Sequence, residues 1–201
     1  MTSEAITGIY NKTLTRYYAA TGVKGRYTGM NIGTEYTKSL IYDTYGRLQS
    51  ISSGSDTFTY SYLPNSNMVQ TVTRPHNLST TFSYEPHRNL ITAVENKHNS
   101  TIISKYDYVN DDIGRRTCMS RSGTAFTTAY TINGYNDCSE VTSAVSSILS
   151  EYDYSYNFDN IGNRLTSALG ASSTSYTANS LNPVYHNHSA TGNSFQPDLQ
   201  R

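Results

Sequence analysis

The chain has 201 residues, and its 15 basic side chains balance 15 acidic ones, so its formal net charge is zero. A neutral chain has no overall field to hold nucleic acid, and no run of about 18 apolar residues predicts a membrane-spanning helix. Only 36% of the residues are hydrophobic, yet 19 are tyrosine. This composition favours half-exposed β-structure over both helix and disorder.

Residues 1–13 are predicted to be a lead-in to the ordered part of the chain. The first four residues, Met-Thr-Ser-Glu, include an acid and are not followed by an apolar run. This start is not typical of a signal peptide, so none is expected in the chain.

An internal repeat is predicted over residues 14–182. Its clearest copy is Tyr-Asp-Thr-Tyr-Gly-Arg-Leu at 42–48, which recurs as Phe-Asp-Asn-Ile-Gly-Asn-Arg-Leu at 158–165. A third copy, at 110–116, has asparagine in place of the aromatic residue, and weaker copies are visible elsewhere. The repeats are anchored near residues 18, 42, 62, 84, 110, 135 and 158, a spacing typical of repeat architectures.

The acid and the glycine of each clear copy predict a tight turn. Aspartate at the first position and glycine at the fourth are preferences of a type I β-turn. The aspartate can bond to the backbone that follows it, and the glycine can take a positive φ and form a bulge. The predicted turn residues are Asp43, Gly46, Asp111, Gly114, Asp159 and Gly162.

Aromatic residues alternate before each turn and apolar residues alternate after it, which predicts two strands per repeat. The sequence therefore predicts an all-β fold of tandem antiparallel β-hairpins that form a curved, open sheet. Almost no helix is expected; residues 141–149 are the one weak candidate. The tyrosine rings are expected to stack between neighbouring strands, with each hydroxyl reaching water or a backbone carbonyl. The repeat aromatics are Tyr42, Tyr62, Tyr84, Tyr108, Tyr135, Tyr156 and Phe158.

The copies at 42–48 and 158–165, with the stretches at 154–164 and 176–182, resemble the YD repeat of the Rhs family. The resemblance covers residues 14–182 and implies a segment of a β-cocoon shell. Such shells commonly enclose a toxin domain, or support adhesion at the cell surface in teneurins. The implied partners are further YD repeats and an enclosed toxin domain, and the implied location is secreted or cell-surface.

The resemblance does not extend to the parts that give Rhs proteins their chemistry. The family's self-cleavage core contains Asp-Pro-x-Gly-Leu, whereas residues 197–199 read Pro-Asp-Leu. The repeat pattern also stops after Asn182, so residues 183–201 are predicted to be an irregular or frayed tail.

Three functions are weighed. A non-catalytic structural shell segment is favoured, and the alternative is a module that binds carbohydrate or a partner through its tyrosine-rich face. An enzyme is least favoured, because the carboxylates recur once per turn, as turn chemistry requires. No catalytic residue and no cofactor is predicted.

Two smaller features were assessed for metal or disulfide chemistry. His186 and His188 would share a face of a strand, but no further ligand lies nearby in the sequence, so no metal site is predicted. Cys118 and Cys138 lie in adjacent repeats, and spacing alone leaves a disulfide between them open. The open ends of the sheet predict self-association.

Overall fold

The computed structural model describes residues 2–6, 11–178 and 184–187. Apart from a single 3-10 turn at Ser150–Tyr152, the regular structure in these ranges is β-strand. The strands are β1 (Thr2–Ile6), β2 (Lys12–Tyr18), β3 (Tyr27–Ile32), β4 (Tyr36–Tyr42), β5 (Leu48–Ser53), β6 (Asp56–Tyr62), β7 (Val69–Arg74), β8 (Leu78–Tyr84), β9 (Ile91–His98), β10 (Thr101–Asn110), β11 (Arg116–Ser122), β12 (Ala129–Tyr135), β13 (Val141–Ser146), β14 (Tyr154–Phe158), β15 (Arg164–Leu169), β16 (Ser172–Ala178) and β17 (Val184–Asn187).

The chain divides into two compact units. The first is Met1–Lys105 with Gly123–Ala125, and the second is Tyr106–Ser122 with Phe126–Arg201. In the first unit each strand from β1 to β9 pairs antiparallel with the next. In the second unit the same holds from β11 to β17. The all-β, antiparallel, open-sheet fold predicted from the sequence is therefore confirmed.

The predicted weak helix is mostly strand. Val141–Ser146 is β13, and the short 3-10 turn begins only after this stretch has ended. Valine and serine dominate the stretch, and β-branched valine suits a pleated strand better than a helix.

A β-bulge accompanies the aromatic end of six repeats. Before the turn at 43–47, for example, Ile41 pairs with Ser50 whereas Tyr42 pairs with Leu48, so Gln49 is the extra residue. The same register shift falls at Tyr18, Tyr62, Tyr84, Tyr135 and Phe158. A bulge lets a turn with an extra residue join two paired strands without exchanging their faces.

The register of the first unit places serine and threonine on one face of the sheet and aromatic and aliphatic residues on the other. Ser50 pairs with Thr59, Thr59 with Thr73, and Thr73 with Ser79. The opposite face carries apolar pairs, including Ile51 with Phe58 and Tyr60 with Val72. The alternation of side chains along each strand produces the two faces directly from the sequence.

Neither unit has a deep core among its described residues. Among the described residues, Gly29 and Thr80, the latter at 4% exposure, are buried in the first unit, and Ala129, at 6%, is buried in the second. Thr80 is satisfied by a polar chain, because its hydroxyl accepts from Arg74 at 2.7 Å and donates to Asn96 at 2.6 Å. Each unit is thus one layer of sheet whose side chains are covered mainly by their neighbours in the same layer.

The ends of the chain carry strands as well. β1 lies within the predicted lead-in, and β17 lies within the predicted tail. Residues 188–201 lie outside the described residues, so the expectation that His186 and His188 form no metal site stays a prediction. The boundaries of the repeat array at residues 14 and 182 also stay a prediction.

Candidate functional site

The aspartate of the clearest repeat organises its turn with a single carboxylate. Asp43 Oδ1 accepts the backbone N–H of Tyr45 at 3.0 Å and that of Arg47 at 2.8 Å. Its Oδ2 accepts from Arg47 Nε at 2.7 Å. The Gly46 amide donates to the Asp43 carbonyl, and Gly46 has a φ of +82°. Asp43 thus supplies the hydrogen-bond acceptors of the turn, and Gly46 supplies its positive φ.

The same arrangement recurs in the other two clear copies. Asp111 accepts the backbone N–H of Arg115 at 2.8 Å and its Nε at 2.7 Å. Asp159 accepts the backbone N–H and the side-chain amide of Asn163, both at 2.8 Å. Gly114 and Gly162 have φ values of +89° and +88°. The aspartates are therefore engaged in one shared geometry, each within its own turn.

A drifted copy reproduces this geometry with exchanged chemistry. Asn136 stands where the aspartate would be, and its Oδ1 accepts the backbone N–H of Cys138 and of Glu140. Its amide then donates to Glu140 Oε2 at 2.6 Å. Ser139 has a φ of +65° at the glycine position. Compared with the turn of Asp43 and Arg47, an amide replaces the carboxylate and a carboxylate replaces the arginine. The bond between the two side chains therefore runs in the opposite direction, and the turn is kept.

The turn geometry sets the electrostatics of the aspartates. Desolvation alone would raise the pKa of Asp43, but the hydrogen bonds from the Arg47 side chain and backbone outweigh it and hold that pKa below its ordinary value. The same balance, with Arg115, lowers the pKa of Asp111. The side chain and amide of Asn163 lower the pKa of Asp159. A carboxylate held ionised by donors is suited to bonding a turn and is a poor general acid at neutral pH.

In four repeats, the hydroxyl of the anchor tyrosine bonds the backbone of the preceding repeat. Tyr42 donates to the carbonyl of Tyr27, Tyr62 to that of Leu48, and Tyr84 to that of Val69. Each acceptor is the first residue of a strand at a bulge. Tyr135 likewise donates to the carbonyl of Arg116, at 2.8 Å. The expectation that these hydroxyls reach a backbone carbonyl is met in all four repeats.

Arginine side chains make a second set of contacts between successive repeats, which was not predicted from the sequence. The Arg47 guanidinium bonds Asp43 in its own turn, lies 4.3 Å from the ring centre of Tyr62, and donates to the Ser66 carbonyl. Arg115 lies 4.8 Å from the ring of Tyr135 and donates to the Asn136 carbonyl at 3.2 Å. The recurrence of arginine after the glycine, at 46–47 and 114–115, was the signal that could have revealed it.

Arginine also changes how the aromatic rings pack. The predicted ring contact between neighbouring strands is found at Tyr18 and Tyr27, whose rings meet edge-on with centres 6.0 Å apart. Among the described residues, no such pair joins the aromatic anchors of two successive repeats. Guanidinium groups instead lie over them: Arg26 over Tyr42 at 4.6 Å, Arg116 over Tyr108 at 3.6 Å and Arg164 over Tyr156 at 4.8 Å. One side of each of these rings is therefore covered by a cation.

Other candidate chemistry is sparse. Cys118, half-buried on β11, and Cys138, exposed in a turn, are both free thiols. Within the described ranges, no three histidine, cysteine, aspartate or glutamate side chains gather as a metal site would need. None of the helical structure in those ranges is long and apolar enough to cross a membrane.

No family model matches the chain, and no curated protein matches it in sequence. Solved structures do match in fold. The crystal structure of TcdB2–TccC3–Cdc42 has a TM-score of 0.67 at 15% identity over 87% of this chain. A Photorhabdus luminescens Tc holotoxin pore that carries a TccC3 variant has a TM-score of 0.69 at 14% identity over the same share.

These likenesses show the fold of the chain, which is that of part of a Tc toxin component. The chain spans about a tenth of the length of each of those two proteins. The likeness is therefore one of fold.

Proposed function

We propose that this chain is a non-catalytic segment of a YD-repeat shell wall, as the favoured hypothesis from the sequence holds. Its partners are further YD repeats, and the completed wall encloses a toxin domain. This role places the wall in a secreted protein or at the cell surface.

The absence of a deep core in either unit is the observation that carries the proposal. A domain of this size that works alone ordinarily buries many large side chains, whereas the two described units bury one small side chain each. The contacts that stabilise the repeats run along the array, from one turn to the next. This arrangement suits a wall that continues beyond the chain and is covered by neighbours.

The turn tips support the same role. The residue two positions after each aspartate is large and apolar, and it is highly exposed: Tyr45 at 80%, Ile113 at 70% and Ile161 at 75%. The turn itself needs only the backbone N–H of that residue, which bonds the aspartate. Large apolar side chains that recur at exposed tips are typical of a surface that contacts more protein.

Sedimentation velocity over a range of concentrations tests the proposal. The chain is expected to self-associate, because its sheets have free edges and its tips are apolar. A variant with Tyr45→Ser, Ile113→Ser and Ile161→Ser should associate less while its unfolding midpoint is unchanged, since exposed side chains contribute little to stability. A strictly monomeric chain at all concentrations would contradict the proposal.

The enzyme hypothesis needs its own experiment. Asn136 shows that an asparagine can hold the turn, so Asp43→Asn, Asp111→Asn and Asp159→Asn together should leave the fold intact. The proposal expects neither protein to hydrolyse polysaccharides. Hydrolysis by the natural chain that disappears in the folded triple variant would overturn it.

The carbohydrate-binding alternative depends on free tyrosine faces. Tyr42, Tyr62, Tyr108, Tyr135 and Tyr156 each have a guanidinium over one side of the ring. Three of these five hydroxyls are also committed to backbone carbonyls. The geometry favours a structural role for these rings, and a glycan array would test the alternative directly.

A further inference from the structure

One connection in the second unit departs from the repeat pattern. Residues 147–153 join β13 to β14 and include the 3-10 turn Ser150–Tyr152. They are longer than the corresponding links of two residues at 54–55, 99–100 and 170–171, of three at 33–35 and 75–77, and of six at 123–128. Three large apolar side chains in it stay exposed: Ile148 at 42%, Leu149 at 43% and Tyr152 at 56%. A connection of this length that does not bury its apolar residues needs another explanation.

The connection is firmly held despite its length. The Asp153 carboxylate accepts the Ser146 amide at 2.6 Å, and the Ser146 hydroxyl lies 3.4 Å from the amides of Ile148 and Leu149. Ser147 exchanges two hydrogen bonds with the backbone of Tyr130, each of 2.9 Å. The Gly170 amide donates to the Asp153 carbonyl at 2.8 Å. The apolar side chains are therefore presented by a fixed backbone.

A groove of about 560 Å³ lies between this connection and the sheet. Small side chains form the floor of the groove, where Thr131 on β12 pairs with Ser146 on β13. Ala144 lies on the same floor and pairs with Tyr154 on β14. Ala129, also on the floor, pairs with Arg121. Larger side chains form the walls, including Ile148, Leu149 and Tyr152 from the connection. A volume of this size with a mainly apolar lining is typical of a small-molecule site.

Among the described residues that line the groove, Arg121 is the one that carries a charge. It is half-buried, and its guanidinium lies 5.7 Å from the ring centre of Phe126. No carboxylate in the described part of the chain forms an ion pair with it, in contrast to Arg47 and Arg115. A half-buried cation beside an apolar groove is complementary to an anion that carries an apolar body.

We propose that this groove binds an amphipathic organic anion, whose aromatic or aliphatic body lies against Ile148, Leu149 and Tyr152 and whose acid group bonds Arg121. The floor of small residues admits the body, and the guanidinium fixes its direction. The residues that line the groove all belong to the second unit.

Two fluorescent probes with the same apolar body test the proposal on the unaltered chain. Anilinonaphthalene sulfonate carries an acid group, and N-phenylnaphthylamine has none. The sulfonate is expected to bind one per chain and roughly tenfold or more tighter than the neutral probe, the factor that a charge-assisted hydrogen bond contributes. Equal affinities for the two probes would overturn the proposal.

Variants then assign the site. Arg121→Met should weaken the sulfonate about tenfold and leave the neutral probe unchanged, while Leu149→Ser should weaken both. Arg164→Met is the matched control, since Arg164 belongs to the same unit but stacks on Tyr156 outside the groove. Sulfonate binding that Arg121→Met and Arg164→Met reduce equally would show that the groove is not the site. Should Arg121→Met fail to fold, Arg121→Lys, which keeps the charge, should retain the preference for the sulfonate.

Discussion

The hydroxyl group of Tyr62 donates a 2.7 Å hydrogen bond to the backbone carbonyl of Leu48. Leu48 is the first residue of β5 and lies at the bulge of the preceding hairpin, where the register shifts. The tyrosine of one repeat therefore bonds the backbone at the bulge that accompanies the turn of the previous repeat. Burial and the nearby Asp43 carboxylate raise the pKa of Tyr62, which keeps the phenol protonated as a donor.

The first prediction concerns this bond. Tyr62→Phe removes the donor and keeps the ring, so it should cost about 0.5–1.5 kcal/mol of unfolding free energy. The unfolding midpoint should fall by roughly 2–4 °C per kcal/mol in a chain of this size. Tyr45→Phe is the control, because Tyr45 is 80% exposed at a turn tip. Equal midpoints for the two variants would contradict the assigned role.

The second prediction concerns the arginine contacts between repeats. Arg47→Met should destabilise the first unit, because it removes the ion pair to Asp43, the contact with Tyr62 and the bond to the Ser66 carbonyl together. A double-mutant cycle of Arg47→Met with Tyr62→Leu should give a coupling of about 0.5–2 kcal/mol, the range of a cation over an aromatic ring. Urea denaturation of the four proteins measures it. Additive effects would show that the contact contributes nothing.

The third prediction is a dependence on pH. The pKa values of Asp43, Asp111 and Asp159 are lowered from an ordinary value of 3.8. Because the folded pKa is the lower one, the contribution to stability is present above about pH 4 and is lost as the pH falls through the folded pKa. The urea midpoint should therefore change little between about pH 7 and pH 5 from this cause, and fall below pH 4.

The triple asparagine variant is the control for that experiment. An amide keeps the bonds to the turn backbone, as Asn136 shows, but does not titrate. Its urea midpoint should vary less with pH below 4 than that of the natural chain. An identical decline in both proteins would assign the acid sensitivity to other carboxylates.

The fourth prediction concerns a glycine within a strand. A Cβ at Gly29 would lie 2.3 Å from the carbonyl oxygen of Lys38 on the neighbouring strand, so Gly29→Ala must push β3 and β4 apart. Such overpacking typically costs about 1–3 kcal/mol. Gly54→Ala is the comparison, because Gly54 has a φ of +59° but open space around it. Gly29→Ala should lower the thermal midpoint more; the reverse order would contradict the close approach.

Local chemistry made the turns predictable from the sequence. An aspartate that bonds its own backbone two and four residues later depends on five consecutive residues, so the pattern at 43–47 sufficed. Strand faces were also predictable, because the alternation of side chains has a period of two whatever the partner strand. The hydroxyl-to-carbonyl bonds followed from the amphipathic nature of tyrosine.

The contacts between repeats could not be predicted, because they depend on the register of the strands, which the sequence alone does not determine. Arg47 contacts Tyr62 because the antiparallel pair β5 and β6 folds back and brings these two residues, fifteen positions apart in the sequence, to the same end of the hairpin. The groove depends on how residues 147–153 fold back, and their hydrogen bonds involve scattered serines without a repeat pattern. In the sequence, Asn136 and Glu140 depart from the repeat pattern, and only the hydrogen bond between their side chains shows that the two changes compensate each other.

The single-layer construction has a consequence for how such a chain can change length. Since the tyrosine and arginine contacts of the described repeats run to the adjacent turn, a hairpin can be gained or lost at the cost of re-forming one pair of these contacts. Recombination within the coding sequence could therefore lengthen or shorten the array by whole hairpins while every remaining repeat keeps its own contacts.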